Sequence, residues 1–169
     1  MGLFSFIKNT GAKVFGIGKS KEEEASAAKA KAQKAADTEE LRLEEAAARN
    51  LEETIVDLQL KVEGLNIHID DDLAKVSGLA YDQATKEKVV LVVGNTEGIA
   101  TVDDQMTVEH VEPEAQFHTV KSGDTLGKIA KHYYGSAIKY PEIFEANKPM
   151  LTDPDKIYPG QVLRIPNLD

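Results

Sequence analysis

The chain has 169 residues, room for about two small domains with extensions, and no cysteine, which excludes disulfides, thiolate metal sites and a thiol nucleophile. Its 29 acidic residues against 20 lysines and arginines give a formal net charge of -9. That balance argues against nucleic acid as a partner, since phosphates are bound chiefly by clustered Lys and Arg.

Residues 1–18 form an amphipathic segment in which Leu3, Phe4, Phe6, Ile7, Val14, Phe15 and Ile17 alternate with Lys8 and Lys13. A basic region is missing from its start and the lysines interrupt the apolar run, so no secretory leader is expected. No stretch approaches the roughly 20 apolar residues that span a bilayer, so no transmembrane segment is expected and the chain reads as cytoplasmic. The segment could lie on anionic lipid as an interfacial helix or pack on the protein. Packing is expected, because the sheet that follows has one face to cover.

Residues 19–38 shift to Ala, Glu and Lys, strong helix formers with neighbouring opposite charges and almost no apolar face, as in a solvated helix or linker. A heptad is not sustained, so a coiled coil is disfavoured. Residues 39–111 read as a compact unit. Leu51, Ile55, Leu58 and Val62 supply a helix face, which Gly64 is expected to end. Asn66 to Asp70 and Leu73 to Gly78 alternate about an Asp71-Asp72 turn, which makes a hairpin. Asp82 or Thr85 then opens a helix carrying Ala84, Val89, Val90 and Val93 that stops at Gly94-Asn95. From Gly98 a last strand is expected to run through Ile99, Thr101 and Val102 to Val108.

A short linker, residues 112–116, leads to a second unit at residues 117–167. Phe117, Thr119 and Val120 are β-prone, and Ser122, Gly123 and Asp124 supply turn chemistry and a helix N-cap. Leu126, Ile129, Ala130 and Tyr133 recur at helical spacing, and Gly135 ends that helix. A second helix has Pro141 in its first turn with Ile143, Phe144 and Ala146 facing inward. Turns at 153–155 and 158–160 precede a closing strand at 162–165. The spacing predicts strand, helix, helix, strand, with the two strands antiparallel.

Residues 117–166 resemble a LysM domain over their whole length. The segments NIHIDDDLAKVSGLA, DQATKEKVVLVVGN and GIATVDDQMTVE resemble a BON domain. The expected fold class is therefore α+β, with an αββαβ unit followed by a βααβ unit. Together with the opening MGLFSFIKNTGAKVF and the late segments FEANKPML and DKIYPGQVLRIP, this arrangement resembles a family of small bacterial cytoplasmic potassium-binding proteins. The Ala/Glu/Lys stretch is longer than that family needs. The resemblance implies K+ as the bound ion, a conformational change on binding, and a monomer acting as sensor or buffer. The LysM likeness by itself implies an N-acetylglucosamine polymer as partner, and the BON likeness implies association with the envelope or a lipid surface. The LysM groove would have Gly123, Asp124, Thr125 and Leu126 on one side and Met150, Leu151, Ile157 and Tyr158 on the other. A strand-to-helix cap requires the residues 123–126 in any case, so fold maintenance explains them equally well.

A K+ site needs several uncharged oxygens, and main-chain carbonyls that replace the hydration shell provide them without a side-chain signature. Carbonyls lacking helical partners gather at helix C-termini, where the macrodipole also favours a cation. Given the resemblance, the carbonyls of Gly94, Thr96 and Ile99 are expected to meet those of Ile7, Thr10 and Ala12 around one ion. Without it, either segment is an ordinary C-cap. Asp70, Asp71 and Asp72 lack the spacing of a calcium loop, and His68, His110, His118 and His132 lack that of a metal site. Ser122 and Asp124 lie near His118 but read as capping residues without a nucleophile elbow, and no acid/base pair points to an enzyme.

Overall fold

Alternation of apolar and polar residues on either side of Asp71-Asp72 sets the centre of the fold. In the computed structural model, which describes residues 2–5 and 24–168, strands β2 (Val62–Asp70) and β3 (Leu73–Asp82) form that antiparallel hairpin. Ile67 and Ile69 on β2 pair with Val76 and Ala74 on β3, so the four buried side chains share one face. Helices α1 (Glu24–Asp57) and α2 (Gln83–Gly94) cover it. Ala48, Leu51 and Ile55 of α1 and Val89, Val90 and Val93 of α2 join the same core.

Several expectations are corrected here. The Ala/Glu/Lys stretch from Glu24 onward and the following amphipathic turns are one continuous 34-residue helix, with no break near residue 38. That helix ends at Asp57 and not at Gly64, because Gln59 takes the left-handed conformation (φ 59°) and Leu60 N–H reaches back to the Ile55 carbonyl at 3.2 Å. Gly64 (φ 63°) lies inside β2, near the register shift between Glu63 and Asn66. Gly78 stands across from it, where a Cβ would come within 2.7 Å of Val62 Cγ1.

The expected last strand is also interrupted. It is divided into β4 (Thr101–Asp104) and β5 (Thr107–His110), both parallel to β3. Between them Gln105 N–H bonds the Val76 carbonyl, Met106 is buried, and its N–H is taken by Asp104 Oδ1 at 3.0 Å. The described part of the N-terminus, residues 2–5, lies at the sheet edge and not over its face. Gly2–Ser5 is strand β1, added antiparallel to the open edge of β4, because α1 and α2 already occupy the buried face. The remainder of the amphipathic segment, with Ile7, Thr10 and Ala12, lies outside the described residues.

The second unit follows the expected order, with β6 (Gln116–Thr119) antiparallel to β7 (Val162–Ile165) and α3 (Leu126–Tyr134) and α4 (Tyr140–Ala146) between them. Its core is Val120, Leu126, Ile129, Ala130, Ile143, Leu151, Leu163 and Ile165. The N-cap of α3 is Thr125, whose Oγ1 accepts from Lys128 N–H at 3.2 Å, rather than the preceding Ser122 to Asp124. Asp124 is engaged elsewhere, by Lys121 N–H and His118 Nε2. The chain is α+β, and among the described residues no helix is long and apolar enough to cross a membrane.

Candidate functional site

Helix α2 is bounded by local chemistry at both ends. Asp82 caps its start by accepting from Thr85 N–H at 2.7 Å. Burial pushes the Asp82 carboxyl up, but the Thr85 hydrogen bonds, with Lys88 and Arg164 nearby, outweigh it and hold the group below the ordinary 3.8. At the other end Asn95 N–H bonds the Leu91 and Val93 carbonyls, Thr96 Oγ1 donates to Val92 at 2.8 Å, and Thr96 N–H donates to Val93 at 3.1 Å.

Beyond that point the main-chain oxygens are differently placed. Among the described residues, no N–H or O–H donates to the carbonyls of Gly94, Asn95, Glu97, Gly98 or Ile99. Thr96 accepts one bond, from Ile99 N–H at 3.2 Å, which closes the loop into a turn. Gly98 (φ 95°) permits that turn, buried Ile99 anchors it in the core, and Ala100 and Thr101 N–H groups tie it to the Asp72 carbonyl. Gly94, Thr96 and Ile99 are thus brought into one short loop at the negative end of a helix.

The loop forms one wall of a cleft of about 850 Å³. Leu43, Glu44 and Leu51 of α1 make the second wall, and Met150, Leu151 and Tyr158 of the β6–β7 unit make the third. Among the described residues, the carboxylates of Glu44, Asp71 and Glu97 line it against one ammonium, from Lys156, a balance that favours a cation. Glu40, Glu44 and Asp71 can bring carboxylate oxygens within 4.8 Å of one another at its rim, although Glu44 Oε1 already accepts from Asp71 N–H.

The expected glycan groove shares only some of its residues with this cleft. Met150, Leu151 and Tyr158 line the cleft, whereas Gly123, Asp124, Thr125 and Leu126 do not. Leu126 and Leu151 are buried in the core of the unit, with Ile157 packed against it. Asp124 lies in a polar cluster in which His118 Nε2 contacts its Oδ2 at 3.0 Å and His118 Nδ1 contacts Tyr133 Oη at 3.2 Å. Hydrogen bonds from Lys121 N–H and from His118 hold the Asp124 carboxyl below its usual range.

Sequence reasoning missed the contacts that join the two units. Glu87 on α2 is buried, accepts from Gln83 Nε2 and from Ala115 N–H, and forms an ion pair with Arg164 Nε of β7. Asn95 Nδ2 donates to the Val162 carbonyl at 2.9 Å while its Oδ1 accepts from Val162 N–H at 2.8 Å. Phe4 of β1 meets Phe117 of β6 edge to face, with ring centroids 5.5 Å apart. A charged Glu87 on the largely apolar inner side of α2, beside the buried Gln83, was one sequence signal for these contacts.

The α+β architecture, with its carbonyl-rich loop facing a β6–β7 unit across an acidic cleft, defines a two-unit binding protein. The family model for the LysM domain matches residues 118–166. The chain is 58% identical over 102 residues to a protein of Escherichia coli O6:H1 (strain CFT073) named potassium binding protein Kbp, covering 60% of this chain and 68% of that one. It is also 40% identical over 91 residues to an uncharacterized protein of Deinococcus radiodurans, covering 54% of this chain and 28% of that protein. Over 58 residues it is 38% identical to the uncharacterized protein YqbP of Bacillus subtilis, covering 29% of this chain and 26% of that protein. The chain belongs to the Kbp family.

Proposed function

We propose that this chain is a cytoplasmic K+-binding protein, a monomeric sensor or buffer without a catalytic step, that takes the ion on main-chain carbonyls. In this reading Gly94, Thr96 and Ile99 supply one half of the cage and Ile7, Thr10 and Ala12, outside the described residues, supply the other. One observation carries it: at the C-terminus of α2 the carbonyls of Gly94 and Ile99 have no donor among the described residues and that of Thr96 accepts a single bond, in a chain of the Kbp family. Uncharged oxygens suit a large, weakly hydrated monovalent cation, and the nearby carboxylates of Glu44, Asp71 and Glu97 add attraction without occupying the cage.

Carbonyl dipoles gathered at one point repel one another when no cation lies between them, so binding favours the arrangement in which both halves meet. A change in the relation of the two units then follows as a population shift. The test is calorimetric titration of the full chain with KCl and NaCl at equal ionic strength, with melting curves in parallel. Saturable heat and a rise in melting temperature with K+ alone are expected. Deletion of residues 1–13 should abolish both while the chain remains folded. Equal responses to the two salts would refute the proposal.

The LysM match favours one second reading, binding of N-acetylglucosamine polymers by the groove residues 123–126 and 150–158. Retention on chitin oligomers, unchanged between KCl and NaCl, is its expected signature.

A further inference from the structure

A helix end does not require what the Asn95 side chain does. The carbonyls of Leu91, Val92 and Val93 in the last turn of α2 are already satisfied by Asn95 N–H and by the Thr96 N–H and hydroxyl. The Asn95 carboxamide instead reaches across to β7, donating to and accepting from the same residue, Val162. In this it imitates the peptide group of a neighbouring strand.

Val162 and Arg164 are two apart and present their backbone groups to the same side of β7. Asn147, at the end of α4, pairs with Arg164 in the same way, at 2.8 Å for each bond. Both polar positions on the edge of β7 away from β6 are therefore closed by asparagines, one from the LysM domain itself and one from α2. The Glu87–Arg164 ion pair fixes α2 to the same strand a second time.

The backbone position of Asn95 matters because the Gly94 carbonyl shares a peptide plane with Asn95 N–H, and the next plane leads to Thr96. Holding the Asn95 side chain restricts the directions in which the neighbouring oxygens can point.

We infer that Asn95 is a positioning residue for the ion: by pairing with Val162 it aims the Gly94 and Thr96 carbonyls and links their occupancy to the docking of the LysM strand. The inference rests on the K+ reading above. Thermodynamic reciprocity then applies, so that the ion tightens the Asn95–Val162 contact by the same factor by which that contact tightens ion binding.

The experiment is calorimetric titration of the full chain with K+ and Na+, comparing wild type, Asn95→Ala, Asn95→Asp and Asn147→Ala. Asn95→Ala should weaken K+ binding by about tenfold or more and narrow the preference over Na+. Asn95→Asp, which retains the acceptor for Val162 N–H but not the donor, should lose less, and it serves as the probe should the alanine variant not fold. Asn147→Ala should lower the melting temperature yet leave K+ affinity within about twofold, since it lies away from the loop. Unchanged affinity in both Asn95 variants would overturn the inference. So would equal weakening by Asn147→Ala, which would reduce the effect to general loosening of the LysM domain. A wild type that does not distinguish K+ from Na+ would overturn the ion reading itself, and the inference with it.

Discussion

Two helix ends in this molecule use the same device for different purposes. Helices α2 and α4 each finish at an asparagine, Asn95 and Asn147, and each carboxamide pairs with one residue of β7. After α4 the backbone groups are used locally: Asn147 Nδ2 also donates to the Ile143 carbonyl, and the Asn147 carbonyl accepts from Leu151 N–H at 2.8 Å. Asn147 is 1% exposed and belongs to a closed interior. After α2 the carbonyls of residues 94, 95, 97 and 98 have no donor among the described residues, and the loop borders an acidic cleft. One asparagine completes a core; the other stands beside carbonyls that take no donor among the described residues.

The largest way to break this comparison is to remove what holds α2 on β7. Glu87→Ala leaves Arg164, Gln83 and Ala115 N–H without their acceptor in a buried place. A loss of roughly 3–5 kcal/mol is expected in urea denaturation, because a buried charge is left uncompensated. A loss below about 1 kcal/mol would mean that water takes over this contact. Asn147→Ala comes next, at about 2–3 kcal/mol, from two unsatisfied groups on Arg164 and one on Ile143. Asn95 is only partly buried, so Asn95→Ala should cost about 1 kcal/mol by the same measurement. Equal losses for the two asparagines would erase the distinction between them.

Gly98→Ala sharpens the contrast at the loop. A side chain there meets open space, but φ is 95°, so alanine should cost about 1 kcal/mol by strain alone. Because that strain falls on the carbonyl turn, the K+ response should decline more than the melting temperature does.

Asp82→Ala should also cost about 1 kcal/mol at pH 7, from the lost N-cap. The folded carboxyl lies below 3.8, so its contribution is complete above the unfolded value of about 4 and is lost as pH falls through the folded value. Stability curves of wild type and variant should therefore converge below about pH 4. Asp124, held low by Lys121 N–H and His118, adds a loss of the same sign in the LysM domain.

Elements governed by neighbours in sequence were legible. The Asp82 cap, the Gly94-Asn95 stop, the Asp71-Asp72 turn and the Gly135 terminus all follow from a few adjacent residues, and the structure has each in place. Local signals failed where two residues competed for one task. Gln59 took the left-handed position and left Gly64 to a strand irregularity, while Thr125 capped α3 because His118 and Lys121 had engaged Asp124. The edge strand at Gly2–Ser5 depended on which side of the sheet remained open, a property of the assembled fold.

The loop that carries Gly94, Thr96 and Ile99 was legible for the same reason, although its assignment to an ion came from the family resemblance alone. Gly94, Thr96 and Ile99 belong to one loop with its own glycine punctuation. The Asn95–Val162 and Glu87–Arg164 contacts span 67 and 77 residues and leave no periodic trace in the sequence. A charged Glu87 on the inner side of α2 and an asparagine where a left-handed glycine would also end a helix were the hints of a second task.

The claim that main-chain oxygens at the end of α2 bind the ion is tested most directly by carbonyl carbon-13 NMR during parallel K+ and Na+ titrations of the full chain. The carbonyl resonances of Gly94, Thr96 and Ile99 should move saturably with K+ and stay in place with Na+, while that of Asn147 stays in place with both. Saturable K+ binding with those three resonances unmoved, and the side-chain carboxyls of Glu44 and Asp71 shifting instead, would contradict it.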